Sequence, residues 1–200
     1  MDQRDENRYL DDLRMKFESY SQISSHSWEL IKENASFLIL KKGEILIRES
    51  QVSRKTFFIC KGVLRAYCND ANGNSYNKNL FLDHDFAGST VSAIRKTPST
   101  FTLESLDDSI LISIDYKTYR NLIFNNDDLK DFYIAYLEQN WVIEKEQREV
   151  SLVLDDATTR YLKFIEQYPE IDKRIPLQHI ASHLGITPTQ LSRIRKSIKK

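Results

Sequence analysis

One stretch near the C-terminus, residues 176–198, constrains the fold of the chain most strongly. It reads PLQHIASHLGITPTQLSRIRKSI. Leu177, Ile180 and Leu184 are apolar at helical spacing. Gly185 follows them, where the end of a helix favours a residue that adopts positive φ easily. The pattern therefore predicts a short helix that ends in a tight turn.

A second helix is predicted directly after this turn. Thr187 is placed to cap it, Pro188 suits its first position, and Gln190 completes a T-x-x-Q capping box. At about 100° per residue, one face is apolar and packs inward, and the opposite face is polar and basic. The inward residues are Leu191, Ile194 and Ile198; the outward ones are Thr189, Arg193, Lys196 and Lys200, with Ser192 on a flank.

A capped helix with a short basic face is typical of a helix-turn-helix that reads the major groove of DNA. No acidic residue occurs from Ile175 to Lys200. We expect Arg193 to read bases, because a guanidinium can bond guanine at two atoms. The full candidate DNA-binding set is Thr187, Pro188, Thr189, Gln190, Ser192, Arg193, Lys196 and Lys199. The plainer alternative is a helical hairpin with a solvated charged face.

The charge distribution supports a specialised C-terminal end. The 200 residues carry 29 basic and 29 acidic side chains, for a net charge of zero. From Ser151 onward, nine basic residues oppose five acidic ones, so this end carries +4 and the remainder, with 20 basic and 24 acidic residues, carries −4. This asymmetry indicates a nucleic-acid-facing end on a body with another task.

The remainder of the chain predicts an α+β fold. Residues 1–36 read as two helices broken near Ser19–Ser25. From Phe37 to Tyr119, about seven or eight short β-branched and aromatic runs alternate with turn signals, which indicates an antiparallel β-roll or jelly roll. Helical periodicity without Gly or Pro then extends from Phe124 to about Leu154. We place the boundaries at residues 1–125, 126–154 and 155–200.

The long helical stretch carries a seven-residue apolar repeat. Leu129, Tyr136, Ile143 and Val150 form this repeat, and they predict a dimer contact between two connecting helices. The alternative is a helix packed only on its own sheet.

The cysteines, the N-terminal sequence and the lack of long apolar runs indicate where the protein is located. Cys60 and Cys68 lie outside any C-x-x-C pair and are expected to be buried, reduced thiols. The acidic start MDQRDENRYL is unlike a signal peptide, and no apolar run approaches the ~20 residues of a membrane span. We therefore expect a cytoplasmic protein that needs no metal or other cofactor.

Four motifs give the chain a recognisable resemblance. They are Lys42-Gly43-Glu44, the run FFICKG at 57–62, Asp85-Phe86-Ala87-Gly88, and the string IASHLGITPTQLSRIR. From about residue 25 onward the chain resembles the Crp/Fnr family of bacterial transcription regulators, and the last string is similar to the variant common in Bacteroidetes. The resemblance implies a cyclic-nucleotide-binding-like sensor domain, a dimerisation helix and a helix-turn-helix. It also implies a homodimer on double-stranded DNA, with RNA polymerase as a further partner.

The sequence departs from the nucleotide-binding members of that family. Where they place a Gly-Glu pair for the ribose, Gly88 is followed by Ser89, and where they place Arg-Ser for the phosphate, Ser99-Thr100 stands. A buried phosphate needs a cation or several donors. We therefore expect a degenerate effector pocket that does not bind cyclic AMP in the usual way, and the effector stays unidentified. The sequence ends at Lys200, so we also expect no wing after the second helix.

Two rival classes stay open. The first is a protein-interaction module with a degenerate sensor roll. The second is a cupin-like metal enzyme, although His84 is the only histidine in the strand region. His179 and His183 are i,i+4 neighbours that could hold zinc, but Ile180 stands where a catalytic Glu would be. We interpret them as histidines on a polar face, and we expect no enzyme activity.

Overall fold

The computed structural model describes residues 2–198 and begins with two capped helices. Helix α1 spans Gln3–Glu18 and α2 spans Ser25–Glu33. The Asp2 carboxylate accepts a hydrogen bond from the Asp5 amide, and the Ser24 hydroxyl accepts one from the Ser27 amide. These caps satisfy amides that a helix N-terminus leaves free. The predicted break between two N-terminal helices is therefore present.

Eight strands form two four-stranded antiparallel sheets, which confirms the predicted α+β roll. The first sheet has the order β1-β8-β3-β6 and the second β2-β7-β4-β5. A short helix, α3 (Thr90–Arg95), lies between β6 and β7. The strands are β1 Ser36–Leu40, β2 Ile45–Ile47, β3 Lys55–Lys61, β4 Leu64–Asn69, β5 Ser75–Phe81, β6 Phe86–Ala87, β7 Thr102–Ser105 and β8 Ser109–Asp115.

The two sheets enclose an apolar interior and meet at a tight corner. The interior includes Phe57, Leu64 and Leu103, all buried. At the corner between β3 and β4, Gly62 has φ +131°, and a Cβ built there would lie 2.0 Å from the Ser109 hydroxyl. Only glycine fits this close approach of two strands.

A helical layer covers the outer face of the first sheet. Helices α4 (Tyr116–Asn125) and α5 (Asp127–Leu137) join α1 and α2 there. Phe17 and Phe132 stack with ring centroids 4.1 Å apart. Leu129 is fully buried in the same layer. This layer fixes the beginning of the connecting helix to the roll.

The predicted connecting helix changes geometry halfway along its length. After α5, a π-helical segment spans Glu138–Ile143, and α6 spans Glu144–Leu154. A π turn holds more residues than an α turn, so it changes the direction in which later side chains point. The prediction that all four residues of the seven-residue repeat form one dimer contact is therefore corrected. Leu129 and Tyr136 pack in the chain's own helical layer, whereas Ile143 and Val150 are exposed.

The C-terminal helices form a small head. Helices α7 (Ala157–Gln167), α8 (Ile171–Arg174), α9 (Leu177–His183) and α10 (Pro188–Ile198) build it. Its core residues pack in one cluster with four side chains of the roll. The roll side chains are Val63, Leu80, Leu82 and Leu106. The head is thus docked on the outer face of the second sheet.

Candidate nucleic-acid interface and effector pocket

The turn and cap before α10 have the geometry that the sequence predicts. Gly185 has φ +69°. The Gln190 amide donates to the Thr187 hydroxyl at 3.1 Å, and the Thr187 amide donates to the Gln190 side-chain oxygen at 2.9 Å. Both bonds of the capping box are therefore made. They fix the start of α10 and leave its outer face available.

The outer face of α10 is polar, basic and exposed. Leu191 is fully buried beneath it, and Ile194 packs partly against the head core. Ile198 is 44% exposed, so its predicted inward packing is wrong; it is the last described residue of the helix. The candidate residues Thr187, Pro188, Thr189, Gln190, Ser192, Arg193 and Lys196 are all exposed. Lys199 and Lys200 lie outside the described residues.

One arginine of α10 has a structural role that the sequence pattern did not reveal. Arg195 forms an ion pair with Asp172 at 2.7 Å, and both side chains are largely covered. The pair ties α10 to α8. Beside it, a shallow cleft of about 200 Å³ is lined by Leu177, Ser192, Arg195 and Lys196. Lys196 thus places its positive charge beside this cleft, at the edge of the exposed face.

His179 of α9 is buried, and His183 is half-buried with its Nδ1 enclosed, which corrects their interpretation as polar-face residues. His179 is buried at the docking surface, where Arg65 Nη1 lies 3.3 Å from its Nδ1. Burial and then the Arg65 charge lower the pKa of His179. His183 packs on the Phe164 ring, and burial lowers its pKa from 6.5 to about 3. Within residues 2–198, no group of three or more His, Cys, Asp or Glu residues is placed to hold a metal ion.

The residues of the candidate effector pocket lie between β6 and β7, and two of them are buried. Gly88 has φ +153°, and Ser89 is buried at the N-cap of α3 without a side-chain capping bond. The Ser99 hydroxyl donates to the Phe101 carbonyl at 2.8 Å, and Thr100 is exposed. The buried hydroxyl of Ser99 therefore has a partner in its own loop.

A buried hydroxyl next to this pocket is also hydrogen-bonded within the chain. The Ser92 hydroxyl accepts from the Ser53 amide at 2.9 Å and donates to the Thr97 carbonyl. Arg95 and Lys96, the two cations of this loop, are exposed. A buried cyclic phosphate would need charged or free donors, and the candidate pocket residues supply no cation.

The two cysteines differ in environment. Cys60 is buried, and burial raises the pKa of its thiol to about 12. Cys68 is exposed near the end of β4, so the expectation of two buried thiols is wrong for this residue. None of the helices in residues 2–198 is long and apolar enough to span a membrane.

Comparisons with known proteins agree with this architecture. Residues 37–126 match the sequence model of the cyclic nucleotide-binding domain family. No curated protein sequence matches the chain significantly. Among solved structures, the chain is similar to the c-di-GMP responsive global regulator CLP of Xanthomonas campestris, with a TM-score of 0.66, 13% identity, and coverage of 88% of this chain and 92% of that one.

Two further structures show the same fold. FixK2 of Bradyrhizobium japonicum has a TM-score of 0.65 at 15% identity, with 82% of this chain and 84% of that chain covered. The catabolite activator protein of Thermus thermophilus has a TM-score of 0.54 at 14% identity, with coverage of 88% and 84%.

The chain thus combines a cyclic nucleotide-binding domain with a helical head. It has the fold of these solved structures, and residues 37–126 match the cyclic nucleotide-binding domain that the sequence motifs imply. Of these neighbours, CLP is a global regulator and the Thermus protein is a catabolite activator.

Proposed function

We propose that this protein is a dimeric transcriptional regulator that binds double-stranded DNA through α10. The observation that carries the proposal is the exposed polar and basic face of a helix whose N-terminus is fixed by a complete capping box. Arg193 reads bases, and Thr189 and Ser192 contact base edges or phosphates. Lys196 adds salt-dependent attraction to the backbone. As a regulator of the bacterial type and not an enzyme, the protein acts in the cytoplasm.

The exposed apolar face of the connecting helix supports a dimer. Ile143, Val150 and Val153 are 45%, 49% and 82% exposed, and Trp141 is 44% exposed. Exposed apolar side chains repeated along one helix mark a protein contact. A second copy of the same helix would cover them and place two copies of α10 on one inverted-repeat site, about 34 Å apart. The contact lies in the second half of the helix, from the end of the π-helical segment onward.

The sensor pocket is proposed not to bind cyclic AMP in the usual way. Its buried Ser99 hydroxyl is bonded within the loop, and Ser89 and Ser99 stand where the resemblance places the ligand-binding residues. Calorimetric titration of the protein with cyclic AMP and cyclic GMP checks this. We expect no heat of binding, and micromolar affinity for either nucleotide would contradict the proposal.

Selection of bound duplexes from a random DNA pool tests the main proposal. We expect a palindromic consensus. Arg193→Ala should then lose about 1–3 kcal/mol of binding free energy at the consensus site and much less on a scrambled duplex. Lys163→Ala is the matched control, because Lys163 is an exposed cation of the head that pairs with Asp155 on the α7 side.

Two outcomes would redirect the assignment. Equal losses on consensus and scrambled DNA would show that Arg193 contacts the backbone only. Absence of salt-dependent duplex binding would favour the protein-interaction module instead.

A further inference from the structure

Strand β5 contacts three parts of the molecule at once. It is the edge strand of the second sheet, paired on one side with β4 only. Phe81 packs into the roll interior, and its neighbours Leu80 and Leu82 pack into the head core. Arg148 of the connecting helix donates to the Lys78 carbonyl at 3.2 Å. One strand therefore meets the roll interior, the head and the connecting helix.

The polar contacts between β5 and the head centre on Asn77, which is only 7% exposed. Its amide donates to the Ser182 hydroxyl at 2.8 Å, and its side-chain Nδ2 donates to the His179 carbonyl at 2.9 Å. A buried amide that loses its partner keeps the full cost of desolvation. The apolar contact alone would tolerate sliding, but this pair of bonds is made in one orientation of the head only.

Further polar contacts join the head to the roll in addition to those of Asn77. Arg65 is paired with Glu104 at 2.7 Å and also lies against His179. Arg174 of the head is paired with Asp83 and Asp107 of the roll. The Arg65–Glu104 pair lies within the roll, but the Arg65–His179 contact and the two Arg174 pairs cross the docking surface. A change of head orientation must therefore break several contacts together with those of Asn77.

The outer face of α10 stays exposed in the docked head. Arg193 and Lys196 are exposed while α9, the preceding helix, faces β5. Docking therefore leaves the outer face of α10 accessible, and the contacts around Asn77 hold the head at a fixed angle to the roll.

We propose that Asn77 is a positioning residue that locks the head to β5 in the orientation used for DNA. The DNA part of this inference rests on the proposed function. In a dimer, a fixed head orientation sets the distance between the two copies of α10. Loss of that fixed distance weakens binding to two half-sites far more than binding to one, because the second contact is then less well placed.

The experiment compares Asn77→Ala and Ser182→Ala, each of which removes one of the two bonds, in the full chain. Ser75→Ala is the matched control, because Ser75 is an exposed residue of the same strand. Hydrogen exchange of β5 and α9 is measured first, without DNA. Affinity is then measured for the selected inverted repeat and for a duplex with one half-site.

We expect faster exchange in β5 and α9 for both variants but not for Ser75→Ala. We also expect affinity for the inverted repeat to fall about fivefold or more, with little change at the single half-site. Unchanged exchange would overturn the lock whether or not the protein binds DNA. Faster exchange with equal losses on both duplexes would overturn the positioning role.

Failure of the wild-type chain to bind any duplex would instead refute the proposed function. The exchange data would still decide whether Asn77 locks the head to β5.

Discussion

Asp85 is placed where its charge should destabilise the protein at neutral pH. It lies in the turn between β5 and β6, and its carboxylate accepts a hydrogen bond from the Leu82 amide at 2.8 Å. Burial raises the pKa of Asp85 from 3.8 to about 6, against the lowering effects of the Leu82 bond and of Lys16, and Glu144 adds to the increase. The folded state therefore holds a proton on this carboxyl that the unfolded state releases between about pH 4 and 6.

This difference gives a sign and a magnitude for Asp85→Asn. The folded pKa is raised, so the free energy of unfolding falls as pH rises from about 4 to 6 and stays lower above that range. Two pKa units at about 1.4 kcal/mol each correspond to about 3 kcal/mol. Asparagine keeps an acceptor for the Leu82 amide and carries no charge. The variant should therefore be up to about 3 kcal/mol more stable at pH 8 and about equal to the wild type at pH 4.

Urea unfolding at pH 4, 6 and 8, followed by tryptophan fluorescence, measures this difference. Asp11→Asn serves as the control, because Asp11 is an exposed residue of α1, and we expect it to change stability little at any pH. If Asp85→Asn were no more stable than the wild type at pH 8, the burial of this carboxyl would not be the destabilising term that we infer.

Three further predictions follow from burial and backbone geometry. Gly62→Ala should destabilise the fold by about 3 kcal/mol or more, because the added Cβ collides with Ser109. Its control, Gly43→Ala, has φ +86° but open space around the new Cβ and should cost about 1–2 kcal/mol. Thermal and urea unfolding measure both losses, and equal losses would show that the close approach at Gly62 is unimportant. His183, whose pKa is lowered to about 3, contributes stability that is present above pH 6.5 and is lost as pH falls towards 3, about 2 kcal/mol of it by pH 5. His183→Leu should abolish this loss in acid unfolding curves, and an unchanged pH profile would contradict the burial of the imidazole. Val153→Glu should convert dimer to monomer in sedimentation velocity, and a variant that stays dimeric would place the contact elsewhere.

The features that the sequence predicts well are local. The capping box and the αL glycine each depend on residues within four positions of one another, so their geometry follows from the chain itself. The strand pattern is likewise visible because the β-branched runs are separated by turn residues at short intervals. The roll and the head could therefore be predicted as units before their arrangement was known.

The errors concern contacts that are distant in sequence. Leu129 belongs to a regular seven-residue repeat, but a π-helical segment interrupts that repeat, and nothing in residues 138–143 signals it. His179 and His183 look polar on an isolated helix and are covered, His179 fully and His183 in part, only because β5 and the helix α7 lie against them. Asn77 reads as a polar residue in an edge strand, and its role becomes visible only once the head is docked.

The position of Asp85 connects the stability argument to the docked head. Its pKa is influenced by Glu144 of the connecting helix, and the pKa of the head residue Tyr168 is raised by burial and by Asp85 in turn. A carboxyl that titrates near pH 6 at this junction changes charge where roll, connecting helix and head meet. If the head is locked to β5, deprotonation of Asp85 stresses the same junction that Asn77 holds. Asp85→Asn and Asn77→Ala should then have opposite effects on hydrogen exchange in α9 at pH 8, and the double variant should restore part of the protection that Asn77→Ala loses. Equal exchange in Asn77→Ala and the double variant would show that the Asp85 charge does not loosen the docked head once Asn77 is lost.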